Sequence, residues 1–265
     1  MRISALALLL ALGSCGYEVD YSGTSYRCMR YPDCPAGFAC VCGTCQVADR
    51  YQTEVIVDEP VGWWRLGERS GLVAADAICE GDAYYDGAPT LGVPGLLDDG
   101  PDLATLFDGD DDEVVTPVTV GTRFTVEALI QPSLTPPSPT QRQGIVGADV
   151  YQVSGFRWAL TPSGELEFYV DESGGTGSVI SAPTIDLGGP PYHVAAVNAD
   201  GEVTIYVDGM QRGMGSVTAV VGDQVLRIGE VGDLLYFRGV IDEPAVYDRA
   251  LPEERIRAHA MAAGR

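Results

Sequence analysis

Basic residues are scarce in this 265-residue sequence: 16 Lys plus Arg stand against 38 Asp plus Glu, a formal net charge of −22 at pH 7. No block of one sign is long enough to form an acidic tail, so the acids are dispersed among apolar segments. A phosphate footprint needs a basic patch, and its absence sets nucleic acid aside as a partner. An acid excess also suits surroundings rich in calcium, although a soluble acidic surface is the plainer reading. Histidine is nearly missing, with only His193 and His259. The nucleophile-elbow pattern G-x-S-x-G is absent, which removes that route to Ser-His-Asp chemistry. The apolar stretch from Ile3 to Leu12 is too short to cross a bilayer. Methionine is sparse at 5, whereas Gly at 33, Pro at 17 and Tyr at 13 favour many short strands joined by turns.

The stretch MRISALALLLALGSCG has one Arg, an apolar core and small residues before Cys15, the layout of a secretory signal. Leu12-Gly13-Ser14-Cys15 resembles the lipobox of bacterial lipoproteins. That resemblance implies a signal peptide over 1–14 and a lipid on Cys15, with an ordinary cleaved signal as the alternative. Gly16, in place of Asp, implies the outer membrane or cell surface under the sorting rule of enteric bacteria. Residues 15–26 read as a flexible tether.

Over 27–46, five cysteines crowd together: Cys28, Cys34, Cys40, Cys42 and Cys45. So short a segment buries little apolar area and needs cross-links to hold a shape. Disulfides are expected in an exported chain, with zinc at the C-x-x-C pair Cys42 and Cys45 as the rival. The spacing also resembles small cysteine-rich modules of exported bacterial lipoproteins, in which four cysteines form two bridges. On that resemblance Cys42 is in excess, and it is expected to pair with Cys79 downstream. The alternative is a free buried thiol at Cys79.

After a linker over 47–53, the stretch 54–265 carries alternating or apolar runs separated by turn signals, the texture of an all-β sandwich. Hairpins are expected around Pro162 to Gly164 and at Asp200-Gly201, and one helix in PEERIRAHAMAAG. The ordered pieces VGWWRLGERSG, AADAICEGDAYYDG, LGVPGLL, FDGDDDEVV, FTVEALIQP, YHVAAV, VTIYVDG, LRIG and GVIDEPAVYDRAL resemble laminin-G-like, concanavalin A-like lectin and glucanase domains. The resemblance implies a jelly roll of two antiparallel sheets with a short C-terminal helix.

It also bears on GVIDEPAVYDRAL, where two acids and a proline interrupt an apolar strand. In many such domains calcium is held by an early-loop Asp and an acid of a late I-D-E stretch, so Asp76, Asp242 and Glu243 are the implied ligands. This chain departs from that pattern, since AICEG follows Asp76. The alternative is that Asp242 accepts from a loop backbone while Glu243 pairs with an arginine such as Arg65 or Arg249.

Glycoside hydrolases share this fold, and retaining ones need two carboxylates about 5 Å apart. The glucanase run E-x-D-x-x-E is absent. Glu165 and Glu167 read as the solvent side of a hairpin, Asp108 to Glu113 as a solvated turn, and Trp63, Trp64 and Trp158 as core residues more readily than a sugar platform. The expectation is a lipid-anchored, non-catalytic protein binding a glycan or a protein at the cell surface. Its rivals are an adhesion component without a pocket and, remotely, a glycosidase.

Overall fold

The computed structural model describes residues 26–29, 33–35, 37–98, 102–150, 154–172, 175–218, 224–232 and 235–265. The expected signal peptide over 1–14, the lipidation site Cys15 and nearly all of the tether lie outside the described residues.

The Cys-rich module is a hairpin of β1 (Phe38–Val41) and β2 (Thr44–Val47), followed by helix α1 (Arg50–Val57). Disulfides join Cys28 to Cys40, Cys34 to Cys45 and Cys42 to Cys79, which leaves these thiols no role as zinc ligands. The segment expected to be a linker over 47–53 is instead the end of β2 and the first half of α1. Asp49 caps α1 by accepting from Gln52 N at 2.6 Å, and Tyr51, Val55 and Ile56 are its buried side. The β-branched content of RYQTEVIV hides this helix, because such residues have low helix propensity and tertiary burial overrides it.

The first strands of the sandwich are β3 (Gly62–Trp63), β4 (Val73–Ala74), β5 (Ala83–Asp86), β6 (Thr90–Pro94), β7 (Leu103–Asp108) and β8 (Glu113–Val115). Long strands follow in β9 (Arg123–Pro132), β10 (Gln143–Val150), β11 (Ser154–Leu160), β12 (Leu166–Glu172) and β13 (Gly175–Ile180). The chain then forms β14 (Tyr192–Ala199), β15 (Glu202–Val207), β16 (Met210–Ser216) and β17 (Arg227–Ile228). A hairpin of β18 (Glu230–Val231) and β19 (Leu235–Tyr236) leads to β20 (Arg238–Tyr247) and helix α2 (Glu253–Ala262). Two antiparallel sheets result, ordered β13-β12-β11-β10-β17-β8-β5-β4 and β16-β15-β14-β9-β20-β7-β6. Both expected hairpins form, β11 with β12 and β14 with β15. Among the described residues no helix is long and apolar enough to cross a membrane.

The core between the sheets is built on Trp64, Trp158, Phe124, Phe156 and Phe168, all fully buried. The Phe156 and Phe168 rings stack with centroids 5.1 Å apart; such a pair adds about 0.5–1.5 kcal/mol beyond the area it buries. A second apolar layer explains why YHVAAVNA in β14 does not alternate apolar and polar. Its other face is covered, with Ala195 and Val197 packed in one cluster with Tyr51, Ile56, Leu251 and Ile256 of the helical layer. The sheet containing β14 is therefore covered by α1 and α2, and the other is the open sheet.

Candidate functional site

The I-D-E interruption is a bulge. The register of β20 against β9 shifts between Asp242 and Ala245, and Glu243 takes φ 54°, the left-handed region that a bulge imposes. Both acids are fully buried. Glu243 accepts from Trp63 Nε1 at 2.8 Å and from Arg65 Nε at 2.7 Å. Arg65 Nη2 also reaches Asp49 at 3.1 Å and Asp102 at 3.8 Å. Asp242 accepts from Leu96 N at 2.7 Å. Its Oδ1 and the Oδ2 of Asp102 are buried without a hydrogen-bond partner. Burial, then Glu243 and Asp102, pushes the Asp242 carboxyl well above the usual range. Burial pushes Glu243 up as well, to about 8, against the pull of Arg65.

Asp76 stands apart from this group. Its Oδ1 accepts from Trp63 N at 3.1 Å and Ile78 N at 3.3 Å, and its Oδ2 from Glu80 N at 2.8 Å and Gly81 N at 2.9 Å. Four backbone donors saturate that carboxylate and fold the loop that carries Cys79. The acid brought within 4.8 Å of Asp242 and Glu243 is Asp102. Calcium takes about six to eight oxygens, yet Asp102 Oδ2 and Asp242 Oδ1 are the buried carboxylate oxygens left without a partner in this group, and Arg65 lies beside them. The set Asp76, Asp242 and Glu243 does not fit calcium: one member is saturated by amides, and another is held by a guanidinium and an indole.

The two histidines serve the helix layer. Fully buried Glu127 of β9 accepts from His259 Nδ1 at 2.9 Å, His193 Nε2 at 3.2 Å and Tyr247 OH at 2.7 Å. His259 Nε2 meets Asp58 at 3.0 Å, and Asp58 also meets Arg255 at 2.7 Å. Against burial, Glu127 and Asp58 hold the His259 imidazolium up to about 10. Against burial likewise, His259 and His193 hold Glu127 well below the carboxylate range. Both imidazoles have zero exposure, so the cluster clasps α1 and α2 to the sheet and offers nothing to a ligand.

The open sheet does offer a cavity. On β11 and β12, Phe156, Trp158, Phe168 and Val170 point into the core, which turns Arg157, Ala159, Glu167 and Tyr169 outward in cross-strand pairs Arg157 with Tyr169 and Ala159 with Glu167. With Arg142 and Leu235 they line a depression of ≈ 180 Å³. Ala159 leaves the hollow, and the β18–β19 hairpin walls it. That hairpin lies flat because Gly144 and Gly147 on β10 have no side chain: a β-carbon at Gly144 would sit 2.4 Å from Leu235 O. The Arg157 guanidinium lies 5.4 Å from the Tyr169 ring centroid and bonds Asp149 at 2.7 Å. Arg142 is ion-paired with Glu167.

By sequence, Glu165 and Glu167 alike read as the solvent side of their strand. Glu167 is only 3% exposed and bound to Arg142, whereas Glu165 accepts from Ser163 Oγ at 2.9 Å in the turn. The signal for this face was the alternation E-x-Y in ELEFYV. Trp63, Trp64 and Trp158 are all at zero exposure and make no sugar platform. In the Asp108 to Glu113 turn, buried Asp112 accepts from Asp108 N at 2.8 Å.

The sequence model of the laminin-G-like family described as the concanavalin A-like lectin/glucanases superfamily matches residues 108–257, more than half of the chain. This chain belongs to that superfamily. Solved structures align with it as folds. Domain 4 of AbnA, a GH43 extracellular arabinanase from Geobacillus stearothermophilus, in complex with arabinotriose, aligns at TM-score 0.58 and 17% identity over 76% of this chain and 98% of that one. Trypanosoma rangeli sialidase aligns at TM-score 0.55 and 17% identity, over 75% of this chain and 32% of the sialidase. The botulinum neurotoxin serotype D ligand binding domain, in complex with N-acetylneuraminic acid, aligns at TM-score 0.60 and 15% identity, over 77% and 51%. This concanavalin A-like chain thus spans about a third of the sialidase and half of the neurotoxin domain. No curated protein matches it.

Proposed function

We propose that this concanavalin A-like chain is a non-catalytic glycan-binding protein, exported and held at a bacterial outer membrane or cell surface by lipid on Cys15. The observation that carries the reading is the hollow on the open sheet, where the partly exposed Tyr169 ring stands among Arg142, Arg157 and Glu167. An aromatic face flanked by fixed hydrogen-bonding groups is how a protein recognises the apolar face and the hydroxyls of a sugar. An adhesion scaffold without a ligand has no use for that combination. The arabinotriose and N-acetylneuraminic acid complexes of fold neighbours support a sugar as the ligand class.

A hydrolase reading is weaker on the same geometry. A general acid must hold a proton and give it up, and the acids bordering the hollow, Glu167 and Asp149, are each tied to a guanidinium. The test is glycan-array screening of the purified chain beside a Tyr169→Ala variant, with reducing-end release assayed on every glycan bound. Binding that Tyr169→Ala abolishes, without sugar release, supports the reading. Sugar release makes the protein an enzyme, and no binding on any glycan removes the function.

A further inference from the structure

The hollow does not end at Arg142. A second depression of ≈ 330 Å³ lies on the other side of that side chain, lined by Gly109, Asp110, Pro137, Gln141 and Tyr236 as well as Arg142 itself. Leu235 borders the first depression and Tyr236, its neighbour in β19, the second. Each therefore has a tyrosine, and they meet at an arginine with 48% of its side-chain surface exposed. Small-molecule sites have volumes of about 300–1,000 Å³. The first depression falls short of that range alone, whereas a ligand crossing Arg142 uses both.

Charge along this path is balanced. Arg157 is matched by Asp149 and Arg142 by Glu167, and the second depression adds only the acid Asp110. Among the described residues that line the two depressions, each base already has an acid, in a chain whose net charge of −22 repels anions at long range. Hydroxyls suit the path better, because a paired guanidinium still has further N–H donors and a paired carboxylate still accepts.

Resting on the glycan-binding reading, we infer that the two depressions are consecutive subsites of one groove, which takes an internal stretch of a neutral, unbranched polysaccharide across Arg142. Tyr169 faces one sugar ring and Tyr236 another.

The experiment is calorimetric titration of the full chain with neutral oligosaccharides of increasing length, chosen from arabinan, xylan, β-glucan and galactan, alongside sialylated and uronate oligosaccharides. Affinity is expected to rise at least tenfold from disaccharide to tetrasaccharide in one neutral series and to survive reduction of the chain end. Tyr236→Ala should erase that length dependence while leaving the weak disaccharide affinity in place, and Tyr169→Ala should abolish both. Tighter binding of sialylated or uronate sugars overturns the inference and leaves glycan binding standing. So does affinity that is already complete with a monosaccharide, or a Tyr236→Ala chain with an unchanged length profile. Failure of every sugar to bind overturns both readings.

Discussion

Arg65 stands where a cation is expected among acids. Its guanidinium contacts Glu243 and Asp49 and lies near Asp102, so one fixed side chain compensates a buried acidic centre. Removing one partner of such a pair leaves an uncompensated charge and costs roughly 3–5 kcal/mol. Arg65→Met should lower the unfolding midpoint sharply and, having freed carboxylate oxygens, make it rise on adding calcium. The parent midpoint should be indifferent to calcium and chelator, as thermal scans with each will show. Asp242 gives a pH prediction. Its folded carboxyl is raised by burial, so it favours folding most below the unfolded value of about 3.9 and loses that advantage as pH climbs from there. Asp242→Asn should therefore gain stability relative to the parent as pH rises, read from paired denaturant titrations. The acids were visible in the sequence as an anomaly, and the choice between metal and arginine was not. That choice depends on Trp63, Arg65 and Asp102 arriving from distant parts of the chain.

At the scale of elements, the strands and both hairpins were legible, because turn residues and alternation are local signals. Helix α1 was not, since its register is set by burial against the sheet and its one local cue is the Asp49 cap. A truncated chain beginning at residue 54 would cut α1 in half and should fold poorly beside one beginning at residue 48, judged by soluble yield and cooperative unfolding. The clasp between α1, α2 and β9 has its own pH signature. With His259 raised from 6.5 to about 10, its contribution is complete below 6.5 and is lost as pH rises through about 10. Glu127→Gln should be less stable at neutral pH and show a flatter alkaline decline, measured by unfolding midpoints across that range. The β18–β19 wall was illegible for a different reason: glycine in a strand is ordinarily a weak point, and nothing local marks Gly144 and Gly147 as room for a hairpin. Gly147→Val should displace the wall, since a β-carbon there would lie 2.6 Å from Val231 Cγ1, and should weaken sugar binding more than it lowers the unfolding midpoint.

For the whole molecule, the layer order puts the helices on one sheet and the hollow on the other. The sandwich class followed from composition and turn spacing. The groove did not, because its residues come from β11, β12, β19 and a proline-rich loop that no local pattern ties together. Opening the bridge in a Cys42→Ser, Cys79→Ser chain should cost roughly 2–4 kcal/mol, measured as a drop in denaturant midpoint. The same bridge governs how the protein carries load. Tension applied at the N-terminal end passes from the module through Cys42 directly into Cys79, in the loop that Asp76 holds with four amides. Helix α1 lies within the covalent loop between those cysteines and bears none of it. Under a stretching force the bridged protein should yield in the sandwich itself, whereas the reduced one should peel from α1 first. The cross-link thus acts as a strain relief that keeps tension at the N-terminal end from reaching α1.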